Sequence, residues 1–520
     1  MSDAPLELSL SPMRPVLRTG EGATLELAVR VLAGGPMETI ELNEDRTTIE
    51  LRRLDDAGAP REARLLSGRD HRQLHQVHPQ TPLGLEFEAR GGAAFVVRVD
   101  LLLYAPPLPA GRWRVALRYR WGSAPGDEVR TNDVDLEVTP ADARPVGARL
   151  LAVSGSRDVV AWTWRVDDPA APFRLTLGRA DVPLALEAAY PWTDPPPAGA
   201  PRLAHLNDLE PMHYEKLAVW TEAAELVVQP LGKHGPGGPP RRLATGLEGP
   251  LTLVDPPLQR RDDGLRAVVL GRRAGAPALS VVACGPDGAA AAPEVRAFDA
   301  GDLVAVAWTE PEDTAHAGVF AARAGAGGLT LTRLDPASGE ALEVWREEPP
   351  AREALALVLD QWLGTGWLYL LLRRAVEDPD GRQVDELTAL AWDVAALSER
   401  PDDDDARRPA RAGAWLVPRG AALLSAAPLL DGAGLALLVS APPGRLALVP
   451  GGPRELPAAA APGALLVDGR GQTWLVEHDP ARGPVATALG RSLVDAAPDD
   501  DDGDDGGDDD GAGDDGDEDE

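Results

Sequence analysis

Apolar and polar positions alternate with a period of two through the first 140 residues. The clearest run is Trp113, Val115, Leu117, Tyr119 and Trp121, with Arg112, Arg114, Arg118 and Arg120 between them. Such alternation places every apolar side chain on one face, as in a half-buried strand. Phe95, Val97, Val99 and Leu101 repeat it, and so do Leu83, Leu85 and Phe87. Leu25, Leu27, Val29 and Val31 form another run, Ile49 and Leu51 a shorter one, and Val134, Leu136 and Val138 the last. With Leu6, Leu8 and Leu10 in front, the pattern predicts an antiparallel sandwich of the immunoglobulin-like kind.

After Thr139-Pro-Ala-Asp-Ala-Arg-Pro145 the texture changes. Short continuous apolar runs follow one another, separated by Gly, Pro and Asp turns. Grouped in fours, they begin near Arg149, Leu203, Leu251, Leu303, Leu355, Leu423 and Leu465. A four-stranded unit of about 50 residues is the size of a propeller blade, and radially packed sheets bury both faces of their strands. Seven blades are favoured; six or eight also fit. The long fifth unit carries two polar insertions, Glu377 to Glu386 and Glu399 to Arg411. The expected organisation is an all-β chain: a sandwich over 1–140, a linker over 141–146, a propeller over 147–490 and a disordered acidic tail over 491–520.

Three passages carry resemblances. Val97-Arg-Val-Asp-Leu-Leu-Leu-Tyr104 followed by Leu108-Pro-Ala-Gly-Arg-Trp-Arg-Val115 resembles a passage of bacterial immunoglobulin-like accessory domains. That likeness implies a sandwich and no chemistry. Val159-Val-Ala-Trp-Thr163, Leu217-Ala-Val-Trp-Thr221, Val304-Ala-Val-Ala-Trp-Thr309 and Leu387-Thr-Ala-Leu-Ala-Trp392 share one theme. They resemble the degenerate propellers of bacterial secreted and surface proteins, in which such a strand opens each unit. Asp468-Gly-Arg-Gly-Gln-Thr-Trp474 resembles the Asp-box turn of sialidase-type propellers, with one extra residue between Asp and Gly. In that family the turn is structural.

Composition narrows the partners. The formal charge is −32, and the 22 residues from Asp499 to Glu520 hold 15 acidic side chains and no basic one. The remaining 498 residues therefore carry −17. Nucleic acid and anionic membranes are polyanions and are disfavoured as partners. Lysine occurs only at Lys216 and Lys233; every other basic residue is arginine. Cys284 is the single cysteine, which excludes an intramolecular disulfide. The first residues have no basic start or apolar run, so no signal peptide is expected. No stretch matches a membrane-spanning helix. A cytoplasmic protein is the default expectation, with signal-independent export as the rival.

Candidate chemistry is sparse. His71, His75 and His78 would share one face of a helix and could hold zinc or nickel. A polar inter-strand turn or short helix ended by Pro79 is the favoured reading, because no carboxylate is spaced as a general base. Cys284 ends an apolar run and reads as a buried strand residue. Ser154-Gly-Ser156 reads as a turn and Asp402-Asp-Asp-Asp405 as a solvated loop. Trp162, Trp164, Trp192, Trp220 and Trp308 could line a propeller mouth, although packing between blades is the commoner role. No cofactor is implied.

The sequence therefore favours a non-enzymatic scaffold that holds a protein partner, a basic one where the tail takes part. Two alternatives remain: a propeller hydrolase or lyase acting on glycans or peptides, and an exported surface protein. For the histidines, elemental analysis of protein purified without an affinity tag should find no stoichiometric zinc or nickel. One tightly held ion per chain, lost when His71, His75 and His78 are all replaced by Ala, would overturn that expectation.

Overall fold

The computed structural model describes residues 6–491 apart from several stretches, the longest being 33–38, 68–84, 180–185, 191–199, 207–215 and 310–315. The protein is nearly all-β. Its helices among the described residues are two short pieces, Val394–Glu399 and Asp404–Arg407. The second is capped by Asp403, whose carboxylate accepts from the Asp405 amide, so part of the run read as a plain acidic loop is a helix start. No helix of the described residues is long and apolar enough to cross a membrane.

The N-terminal residues form two main sheets. Leu6–Pro12, Thr24–Val31 and Ala94–Asp100 make one, in that order. The other runs Val16–Arg18, Val134–Thr139, Gly111–Arg120, Thr47–Leu54, Pro60–Ser67, with Glu128–Arg130 beside Gly111–Arg120. Val16–Arg18 lies parallel to Val134–Thr139. The alternating apolar residues meet between the two sheets: Leu25, Leu27, Val29, Ile49, Val99, Val115, Leu117 and Tyr119 are all buried in one core. Leu85–Glu88 instead pairs with Thr39–Leu42 in a small separate sheet.

From Ala143 onward, seven sheets follow one another in chain order among the described residues, each built around antiparallel neighbours. Their first strands are Ala143–Ser154, Arg202–Leu203, Glu248–Arg260, Leu303–Thr309, Glu353–Trp362, Leu423–Pro428 and Ala464–Val467, except that the short His205–Leu206 precedes Glu248–Arg260 in the third sheet and lies parallel to it. Each unit start read from the sequence falls within one of these strands. From Arg202–Leu203 onward each of these strands touches the next, Ala143–Ser154 touches His205–Leu206 beside Glu248–Arg260, and Ala464–Val467 returns to touch Ala143–Ser154, so the series closes on itself in a propeller-like ring.

Apolar cores fill the seams between sheets. One holds Phe320, Leu368, Leu370, Leu372 and Trp392; another holds Val254, Val268, Leu279, Trp308 and Val319. A strand buried on both faces must be apolar at consecutive positions, which explains the continuous runs. The recurring Trp theme, however, does not mark strand phase. Trp162 lies on the second strand of its sheet, Trp308 on a first strand and Trp392 on a third. Any doubly buried strand can carry it.

The junction with the N-terminal sheets is tight. Thr139 ends one strand and Ala143 begins the next, so most of the segment read as a linker is strand. Arg144 is exposed on that strand and pairs in register with Arg165. The turn at Pro480 is held from both sides. The Thr19 hydroxyl donates to the Pro480 carbonyl at 3.0 Å, the Ala141 amide donates to it at 3.2 Å, and the Ala110 amide donates to Ala481 at 2.7 Å. From the first sheet, Arg174 donates to the Thr19 carbonyl at 2.9 Å and pairs with Glu21 at 3.2 Å. Gly20 between them has φ +80, and a Cβ there would sit 2.9 Å from Arg174 Nη1. Only glycine tolerates both the backbone and the contact.

Arg174 is almost wholly buried, and burial pushes its guanidinium below the usual arginine range while Glu21 pulls it back. His478 lies beside it, edge-on to Trp164 with ring centroids 6.0 Å apart. Burial first, and the Arg174 charge second, lower the His478 imidazole to about 4.

Two expectations follow from this junction. Arg174→Met removes the guanidinium from the Thr19 carbonyl and leaves Glu21 only the Arg18 amide at 2.9 Å and Arg14 at 3.6 Å, and should cost about 1–3 kcal/mol, read as a lower urea midpoint. As pH falls below about 6.5, the unfolded His478 takes up a proton that the folded one refuses until about 4, so stability is lost across that window. His478→Gln should narrow the difference in melting temperature between pH 7 and pH 5; an unchanged difference would refute the assignment.

Candidate functional site

A cleft lies in the seam between the fourth and fifth sheets. It is built by a change of character along two neighbouring strands. On Thr365–Glu377, Leu368, Leu370 and Leu372 face the seam, and the next residue of that parity is Arg374. On Gln383–Asp393, Trp392 and Leu390 face it, followed outward by Thr388 and Glu386. The period-two rule carries the same face from core to solvent, and the side chains turn polar where packing ends. Leu390 is the apolar lining, and deeper in the same seam Trp345 and Trp392 pack edge to face with centroids 5.9 Å apart. Glu347, Arg352 and Arg411 complete the wall of a cleft of about 310 Å³.

Three arginines and two carboxylates meet there. Arg352 Nε donates to both oxygens of Glu347, at 2.9 and 3.1 Å. Register places Arg374 opposite Glu386, and Arg374 Nε donates to it at 2.5 Å. Arg411 Nη2 donates to the other Glu386 oxygen at 3.4 Å. No further hydrogen bond is made by these three guanidinium groups among the described residues. Glu386 is 15% exposed, whereas Arg374 and Arg411 are 58% and 62% exposed. The carboxylates are thus spent on holding the arginines, and the free Nη atoms are donors without acceptors. Such an arrangement binds a carboxylate or phosphate in its plane.

The sequence passed over these residues, because Glu377 to Glu386 reads as a polar insertion. The available signal was the run Leu368, Leu370, Leu372, Arg374, in which a period-two apolar face ends in a charge.

The residues singled out from the sequence lie elsewhere. His71, His75, His78 and Trp192 lie outside the described residues. Trp162, Trp164, Trp220 and Trp308 are buried, the first two in the seam between the last sheet and the first. Trp164 donates to the Thr176 hydroxyl at 2.8 Å. None of these four lines an open mouth. Cys284 is buried at the end of its strand, and among the described residues no cluster of three His, Cys, Asp or Glu is placed to hold a metal ion. Asp468 makes a structural turn: its carboxylate accepts from the Gln472 amide and from the Trp474 indole, both at 2.8 Å.

No protein-family model and no curated protein matches this chain. Two solved structures are similar to about two thirds of it. The β-propeller domain of Myceliophteria thermophila Cps50 (Swd1) is 10% identical, covers 67% of this chain and 99% of its own, with a TM-score of 0.37. A mutant of the α-L-arabinofuranosidase arb93a from Fusarium graminearum, in complex with an iminosugar inhibitor, is 9% identical, covers 68% and 93%, with a TM-score of 0.28. The ring described above rests on strand order and seam contacts, and nothing of activity is taken from either likeness.

Proposed function

We propose that this chain is a non-enzymatic binding scaffold: an immunoglobulin-like sandwich over 1–140, a seven-bladed β-propeller over 147–490 and an acidic tail over 491–520, together holding a protein partner. The parallel pairing of Val16–Arg18 with Val134–Thr139 supports the immunoglobulin-like reading. Seven successive sheets, the last of which returns to touch the first, support the blade count.

The observation that carries the functional reading is the cleft. Arg352, Arg374 and Arg411 offer guanidinium donors around carboxylates that are already bonded. That is equipment for recognising an acidic side chain of a partner, and it needs no turnover. A volume of about 310 Å³ admits one or two residues. The many acidic residues of the tail would add attraction for basic segments of the same partner.

The dipeptide glutamyl-glutamate tests the cleft directly. Calorimetry at low salt should detect its binding to the full chain, weakened at least tenfold by Arg374→Glu with Arg411→Glu. Equal affinity in both proteins would remove the cleft from the reading. Release of reducing sugar or free amine from glycan or peptide substrates, abolished by the same pair of substitutions, would replace the scaffold with a hydrolase.

A further inference from the structure

The outer face of the larger N-terminal sheet is an arginine lattice. On Gly111–Arg120 the inward residues are Trp113, Val115, Leu117 and Tyr119, so Arg112, Arg114, Arg118 and Arg120 face out. Register sets Arg52 opposite Arg114, and Arg118 opposite Arg130. Like charges directly opposite one another destabilise a sheet unless something lies between them. Glu50 lies between them, opposite Ala116. It accepts from Arg52, from Arg130 at 2.8 Å and from Arg118 at 3.5 Å. Burial would raise its carboxyl, yet the Arg130 and Arg52 guanidinium groups hold it at about 2.

Every carboxylate bonded on this face is already taken by an arginine. Glu50 is shared by three, Glu128 accepts from Arg118, and Asp133 and Asp135 accept from Arg130 and Arg114. Arg112 and Arg120 are exposed and form no ion pair within 4 Å among the described residues, although register sets Arg112 opposite Glu137, its charge acts on Asp135, and Arg120 stands opposite Glu128. The face therefore presents guanidinium donors in excess, on a chain whose net charge is −32.

We propose that this arginine face is the docking surface of the chain's own acidic segment, Asp499 to Glu520. Charge complementarity selects it: 15 acidic side chains meet donors that lack acceptors. Reach allows it. The Ala110 amide bonds Ala481, so the strand Gly111–Arg120 starts beside the turn that opens Gly483–Arg491. Arg491 ends that strand, about 30 Å from the turn at strand rise. The residues from 492 to 520 span up to about 95 Å when extended, enough to return to the turn and follow Gly111–Arg120 to its end. Tethering gives an effective concentration on the order of millimolar, so modest intrinsic affinity suffices. The rest of the chain carries −17 and repels the segment, and screening over about 8 Å at physiological salt confines attraction to this local face.

A fluorescein-labelled peptide with the sequence of Asp499 to Glu520 tests the proposal by anisotropy at about 50 mM salt. The intact chain should bind it weakly, because its own segment occupies the face. A full-length chain whose 15 tail carboxylates are changed to amides should bind at least tenfold more tightly. Arg112→Gln with Arg120→Gln in that background should remove most of the gain, and the amides set no like charge opposite Glu137 or Glu128. Equal binding by the intact and neutralised chains would overturn the proposal. So would loss of binding through Arg374→Glu with Arg411→Glu instead, which would move the segment to the cleft and leave the scaffold reading standing. Tight binding of a single-stranded oligonucleotide, but not of the peptide, would also overturn it.

Discussion

Closure of the ring between its last and first sheets is the constraint on which the rest depends. Trp162, Trp164 and Val160 from the first sheet pack against Leu466 and Val476 from the last. Among the described residues no strand is shared across this seam, since the last sheet comprises Ala464–Val467, Gln472–Asp479 and Gly483–Arg491 alone. Side-chain packing has to do there what backbone pairing does within each sheet. The N-terminal domain reinforces it by bonding both partners, Arg174 on one side and the Pro480 turn on the other. Thr19 and Glu21 thus act as a clasp over the seam, and the polar clasp survives burial because each charge and carbonyl has a partner.

Legibility in the sequence followed the range of the interaction. Strands of the N-terminal sheets could be read because Leu25, Leu27, Trp113 and Val115 report a local pleat. Unit starts near Leu303, Leu423 and Leu465 could be read because the spacing of breakers is also local. The Trp theme misled, since Trp162 and Trp392 answer to burial on two faces and not to strand number. The connection at 141–146 misled for a different reason. Its Pro and Asp suggest a loop, but bonds to Pro480, more than 300 residues away, fix its course. No window of sequence contains both ends of that bond.

Arginine does work here that lysine could not. Glu50 receives three guanidinium groups, and Glu347 receives one through both of its oxygens. A planar fork can satisfy a carboxylate with one edge and keep donors on another, whereas an ammonium is a single point of charge. Nearly exclusive use of arginine lets one side chain both build the surface and remain available on it. The cleft and the outer face of the larger N-terminal sheet share that chemistry on different supports. In the cleft it lies in the seam between two sheets; on the N-terminal sheet it lies flat across one.

The seam between the last sheet and the first also sets a schedule for biogenesis. Trp162 and Trp164 leave the ribosome roughly 300 residues before Val476, which at ~5–20 residues per second is a delay of tens of seconds. Through that interval two of the largest apolar side chains in the protein have each other and their own sheet but lack the partners that the last sheet brings. Thr19 and Glu21 are synthesised earlier still, so Arg174 can engage the N-terminal domain as soon as the first sheet forms. The clasp is half-fastened before the ring exists, and the nascent chain carries its own placeholder at the edge most exposed to misassociation.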